Sequence, residues 1–118
     1  MRTDSTYRNF ISPDSQFKPE VGRYHLYISY ACPWANRCAA LRAMKGLEKV
    51  IGLTVVHPTF AKSRPNDPED PHFGWKLSAP GEVLKNQNGF GSYKFDDVSE
   101  DYYDPQNIKF IRDLYVVS

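Results

Sequence analysis

One stretch of the chain, residues 23–58, leaves few folds open. Arg23 to Tyr30 sets Tyr24, Leu26 and Ile28 in alternation with His25, Tyr27 and Ser29, the period-two pattern of a strand. Ala31-Cys32-Pro33 breaks it. Pro33 suits the first position of a helix, where its missing N–H has no partner to lose. Trp34 to Lys45 is rich in alanine and leucine and predicts a helix, closed by a basic last turn and a glycine stop at Lys45-Gly46. Val50 to Val56 is a short β-branched run that reads as a second, buried strand, and Pro58 ends it. Strand, helix, strand with short connections is a βαβ unit. Its strands are expected to be parallel and its crossover right-handed.

The rest of the chain is plainer. Residues 1–22 are polar with Pro13 and Pro19; they predict an extended arm that Phe10, Ile11 and Phe17 are placed to pin. From Thr59 to Asp104 no periodicity is visible apart from the island His72-Phe73-Gly74-Trp75, and a stretch this long without structure is unusual inside a domain. Asp104-Pro105-Gln106-Asn107 predicts a helix start, with Ile108, Ile111, Leu114 and Tyr115 at helical spacing. The expected division is an arm at 1–22 and an incomplete α/β unit at 23–118, with the 59–107 segment as an irregular insertion and a helix at its end.

Composition removes several classes of function. The chain has 118 residues, 41% hydrophobic and 25% charged, with a net charge of +1. These values fit a folded globular domain and leave no basic footprint for nucleic acid. The longest apolar run, Val50 to Val56, falls far short of the roughly 20 residues a membrane helix needs, and residues 1–9 lack a signal-peptide core. The expectation is a cytoplasmic protein. His25, His57, His72 and Cys32 have no zinc-ligand spacing, so no metal is expected. Asp67, Glu69 and Asp70 read as a solvated acidic loop, and Tyr102-Tyr103 as surface packing.

Two cysteines remain, Cys32 and Cys38. Cys32 sits at the strand–helix junction, at or beside the N-cap. There the unpaired N–H groups and the positive helix end favour a thiolate over a thiol; Arg37 is one turn on. A cysteine is also a common small buried hydrophobe, but the strand–Cys-Pro–helix setting points to a working thiol. Cys38, mid-helix beside Ala39, reads as core packing. Six residues apart, the two do not form a Cys-x-x-Cys pair. Cys32 would therefore act as a monothiol and draw its second thiol from solution, with glutathione the abundant candidate.

The run Arg23-Tyr24-His25-Leu26-Tyr27-Ile28-Ser29-Tyr30-Ala31-Cys32-Pro33-Trp34-Ala35-Asn36-Arg37 resembles the opening of the glutathionyl-hydroquinone reductases, the Xi-class, omega-like glutathione transferases. The resemblance continues through Lys45-Gly46-Leu47, Val50-Ile51-Gly52 and Val55-Val56-His57-Pro58. It extends to Gly74-Trp75 and Ile111-Arg112-Asp113-Leu114-Tyr115, and so runs from about Pro19 to Tyr115. It implies a thioredoxin-like N-terminal domain followed in the family by a helical domain, a homodimer in the full-length members, and glutathione as co-substrate. It further implies that Cys32 takes the glutathionyl group from a glutathionyl-hydroquinone. Trp75, with Pro33 and Trp34, is implied at the glutathione site.

The sequence also departs from the family. Where the family continues into a cis-proline strand and a Glu-Ser pair that holds the γ-glutamyl end of glutathione, this chain has Val116-Val117-Ser118. A truncated, weakly stable form is the expectation, because a lone βαβ unit leaves its sheet open and its core thin. Two other functions stay open: a glutaredoxin-like deglutathionylase of protein mixed disulfides, and a non-catalytic remnant that binds partners through open strand edges.

Overall fold

The computed structural model describes residues 4, 6–86, 89–95 and 108–117. The βαβ unit forms as the sequence patterning requires. Strand β1 (Tyr24–Ile28) leads into helix α1 (Pro33–Met44), which returns as strand β2 (Ile51–Val55). The two strands pair in parallel, with Leu26 opposite Leu53 and Ile28 opposite Val55. Gly46 stops α1 with a φ of 66°, a left-handed turn that costs glycine nothing.

Each face of this small sheet is covered, because side chains alternate across it. Ile28, Leu53 and Val55 share one buried cluster with Phe95, and Leu26, Ala35 and Ala39 pack against it; this is the face under α1. Tyr27 points the other way, onto a second cluster built from Val56, Leu77 and Ile108 with Trp75, Ile111 and Leu114 around it. The result is a thin three-layer α/β arrangement, an incomplete thioredoxin-like fold.

The stretch expected to be irregular holds short antiparallel pairs. Strand β3 (Ala61–Lys62) pairs with β4 (Phe73–Gly74), and β5 (Val83–Lys85) pairs with β6 (Ser92–Lys94). Strands of two or three residues are too short to show a period, which is why patterning misses them. Lys76 bridges Phe110, so Ile108 and Phe110 lie in extended backbone ahead of the last helix instead of inside it. Helix α2 (Ile111–Val117) begins where Asp113 reaches back: its carboxylate accepts the N–H of Phe110 at 3.2 Å, half of a capping box. The expected start at Asp104-Pro105-Gln106-Asn107, and Tyr102-Tyr103 with it, lies outside the described residues.

Two further expectations need correction. Phe10 does not pin the arm, being 82% exposed. The arm is tied by polar contacts: Tyr24 donates its hydroxyl to the carbonyl of Lys18 at 2.7 Å, and Arg23 donates to Gln16 at 3.0 Å. Cys38 is exposed and is not a core residue. The helix is apolar on two sides, and the side bearing Ala35 and Ala39 meets the sheet because small side chains allow close approach. Trp34, Cys38, Leu41 and Met44 are left outward. Arg42 takes the third inward position, 5% exposed; it donates to the carbonyls of Ile51 at 2.7 Å and Glu48 at 3.1 Å and so staples α1 to the start of β2.

Candidate active site

Cys32 is the N-cap of α1, with extended backbone and Pro33 at the first helical position. The loop that delivers it is fixed by local bonds. Cys32 N–H donates to Ser29 at 3.0 Å, the buried Ser29 hydroxyl accepts the Ala31 N–H at 3.2 Å, and Asn36 donates its side-chain amide to the carbonyl of Tyr30 at 3.0 Å. The Cys32 carbonyl accepts the first helical bond from Asn36 at 3.1 Å. No acidic residue stands in the first turn. Cys32 is half-buried. Cys38, a turn and a half farther along, turns its own thiol toward the carbonyl of Trp34 at 3.7 Å. Arg37 lies over the Trp34 ring at 4.8 Å, a cation–π contact on an exposed indole.

One residue before Cys32, a cleft opens. It has a volume of about 370 Å³ and is lined by Tyr30, Ala31, Val56, Pro58, Thr59 and Tyr93, within the size range of small-molecule sites. It stands outside the carboxyl ends of β1 and β2, the end of a parallel sheet where α/β folds bind ligands. A smaller hollow of about 200 Å³ shares Pro58 and Thr59 and continues to Phe60 and Asn86. Phe60 in turn packs on Trp75, ring centroids 4.2 Å apart. Trp75 is half-buried behind that ring, and its carbonyl accepts the N–H of Ile111 at 3.0 Å. A larger hollow of about 410 Å³, lined by Ile11, Pro19, Val21, Tyr24, Leu47 and Val50 among others, sits at the amino ends of the strands, away from the thiol.

Of the residues singled out in the sequence, Cys32, Pro33 and Trp34 fall together at the head of α1, while Trp75 comes from β4's end on the opposite face of the sheet. Sequence reasoning missed Tyr30, Thr59, Phe60 and Tyr93. The first three flank recognisable strand ends and were findable by the strand-end rule; Tyr93 arrives from an unpatterned segment and carried no signal.

The acidic loop is less solvated than its composition suggests. Asp70 accepts the His72 N–H at 3.0 Å and the Arg112 guanidinium at 2.6 Å, while Arg64 pairs with Asp113 at 2.7 Å. The two pairs tie the β3–β4 loop to α2. The backbone N–H of His72, then Arg112, hold the Asp70 carboxyl below its ordinary range. Glu82 is also lowered: burial pushes it up, but the Lys76 ammonium that donates to it and the neighbouring Ser78 outweigh that. The three histidines do not converge. His25 bonds Thr54 at 2.6 Å, His72 bonds Ser63 at 2.6 Å, and His57 is buried beneath the cleft. Among the described residues no cluster of metal-ligating side chains forms and no helix is long and apolar enough to cross a membrane.

The fold is that of the glutathione transferases, as its match to solved structures shows. Across 99% of its length the chain matches the Xi glutathione transferase of Phanerochaete chrysosporium, at a TM-score of 0.60 and 33% identity, covering 31% of that chain. It also matches the Xi glutathione transferase ECM4 of Saccharomyces cerevisiae, solved in complex with glutathione, at a TM-score of 0.52 and 40% identity, over 64% of this chain and 19% of that one.

The curated relatives narrow the class. The chain is 38% identical over 116 residues to glutathione S-transferase omega-like 2 of Schizosaccharomyces pombe, covering 97% of this chain and 28% of the relative. It is 47% identical over 57 residues to the glutathionyl-hydroquinone reductase PcpF of Sphingobium chlorophenolicum, over 48% of this chain and 18% of the relative. The chain is thus similar along nearly its whole length to the Xi-class, omega-like glutathione transferases, a group of enzymes, and spans under a third of their length. No protein-family model matches it.

Proposed function

We propose that the chain carries the thiol chemistry of a glutathionyl-hydroquinone reductase, with Cys32 as its nucleophile and glutathione as its co-substrate. The observation that carries this reading is the half-buried cysteine at the N-cap of α1, next in sequence to Ala31 in the lining of a cleft at the strand ends, with the second cysteine exposed on the helix's outer face.

In the reaction, the Cys32 thiolate attacks the glutathionyl sulfur of the aryl thioether. A Cys32–glutathione disulfide forms, the carbon–sulfur bond breaks, and the ring carbon takes up a proton to give the hydroquinone. A second glutathione gives up its proton and attacks the glutathionyl sulfur, releasing glutathione disulfide and restoring the thiolate. The two reducing electrons come from the two glutathione sulfurs, so no metal is needed. The resemblance supports Trp75, Pro33 and Trp34 as the residues that would contact glutathione, and Phe60 packs on Trp75 from the neighbouring hollow. Dependence on reduced glutathione fits a cytoplasmic setting.

The test is to challenge the purified chain with glutathione disulfide near neutral pH and to map the modified cysteine by mass. Selective modification of Cys32, faster than in urea-unfolded chain and abolished in Cys32→Ser, supports the reading. Equal reaction of Cys32 and Cys38 at unfolded rates refutes it.

A further inference from the structure

His57 is the least explicable residue near the site if it serves packing alone. It is fully buried, at 0% exposure, just past the end of β2. Pro58 after it favours extended backbone, which turns the ring inward. The imidazole then touches both sides of the cleft beside Cys32. Its Nδ1 accepts the backbone N–H of Thr59 at 3.0 Å; an accepting nitrogen carries no proton, so the neutral ring keeps its proton on Nε2. Its ring meets Tyr93 edge-on, centroids 5.8 Å apart, and stacks on Phe95 at 5.6 Å. Thr59 and Tyr93 both line the cleft. The backbone N–H of His57 also donates to Lys76, next to Trp75, at 2.9 Å. Meanwhile Nε2 is buried without a hydrogen-bond partner among the described residues. An unpaired buried donor is costly, so a leucine or phenylalanine would fill the space at less cost. Local rules broken in this way mark sites kept for something other than stability.

We infer that His57 is a positioning residue: it sets the separation of the Thr59 and Tyr93 walls, and thereby the fit of a glutathionyl disulfide or thioether beside Cys32. This rests on the glutathione reading above. The hydrogen bond to Thr59 and the ring contact with Tyr93 are separable by substitution. His57→Asn offers an amide oxygen to the Thr59 N–H but gives up the ring contact. His57→Phe keeps the ring and gives up the acceptor.

The experiment compares two disulfides reacting at Cys32 of the whole chain. Glutathione disulfide needs the cleft, whereas hydroxyethyl disulfide needs only an exposed thiol. Each rate is divided by that of the urea-unfolded chain. The wild type is expected to prefer glutathione disulfide. Both His57 variants should lower that preference about three- to tenfold, the worth of one hydrogen bond or ring contact, while the hydroxyethyl disulfide rate and the circular dichroism stay as in wild type. An undiminished preference in both variants overturns the role of His57 and leaves the glutathione reading standing. No preference in the wild type sinks the glutathione reading, and this inference with it. Should both His57 variants unfold, the half-exposed Tyr93 decides the matter: Tyr93→Leu must reproduce the loss, and if it keeps the full preference the inference is wrong.

Discussion

Replacing Phe95 by alanine tests whether the unpatterned segment before it belongs to the core. Phe95 is 1% exposed and clusters with Ile28, Leu53 and Val55 from the two parallel strands. A phenylalanine side chain buries roughly 150 Å² or more, and at about 25 cal/mol/Å² that amounts to about 4 kcal/mol. This falls within the 3–5 kcal/mol typical of Phe→Ala in packed cores, where the residual cavity adds to the transfer cost. Phe90, on the same hairpin, is 81% exposed; the same arithmetic leaves it well under about 1 kcal/mol. Urea unfolding of the two variants against wild type, followed by circular dichroism, reads both changes. Folded domains hold only about 5–15 kcal/mol in total, so Phe95→Ala should shift the midpoint markedly or abolish the transition, while Phe90→Ala should leave it nearly in place. The slope of the transition also matters, because it reports the surface exposed on unfolding. If Phe95→Ala falls within 1 kcal/mol of Phe90→Ala at unchanged slope, residues 81–95 do not close the core, and the cleft wall contributed by Tyr93 falls with them.

Three other outcomes follow from particular contacts. Arg42→Lys should cost about 1.5–3 kcal/mol in the same assay, since the carbonyls of Ile51 and Glu48 are served by two separate nitrogens of a rigid guanidinium, a spread of donors that a single ammonium does not reproduce, and hydrogen bonds from charged groups are the strong ones; a loss below 0.5 kcal/mol would show the staple to be idle. At Gly74 an added Cβ would lie 2.7 Å from Cε1 of His72, so Gly74→Ala should displace that ring and forfeit its bond to Ser63. The cost is about 1 kcal/mol, and it should largely vanish in a His72→Ala background. Asp70 has its folded value held below the ordinary 3.8, so its share of stability is complete above that pH and is lost as pH falls through the lower folded value. Acid titration should therefore loosen the contact between the β3–β4 loop and α2 only in that range, and Asp70→Asn should remove this part of the acid response; an unchanged profile would rule out the contribution.

The βαβ unit, its boundaries and the placing of Cys32 at the head of α1 were legible in residues 23–58. Each depends on local signals: alternation in Tyr24–Ile28, Pro33 at the first helical position, Gly46 at the stop, a β-branched run in Ile51–Val55. These act over a few residues and need no knowledge of what packs on them. Similarity to the Xi-class, omega-like glutathione transferases was likewise carried by contiguous residues.

What the sequence left open was the choice between faces and the partners of distant segments. Helix α1 is apolar on two sides, and only docking on the sheet decided that Ala35 and Ala39 go in, Arg42 with them, while Cys38 and Trp34 stay out. The short pairs β3–β4 and β5–β6 form through contacts too brief to leave a period. Phe95 enters the core from a stretch with no pattern at all, and His57 becomes a buried link between two cleft walls only because β6 folds over the end of β2. Such contacts join residues tens of positions apart. Their energy comes from shape and exclusion of water in the assembled structure, and no local run of residues encodes it.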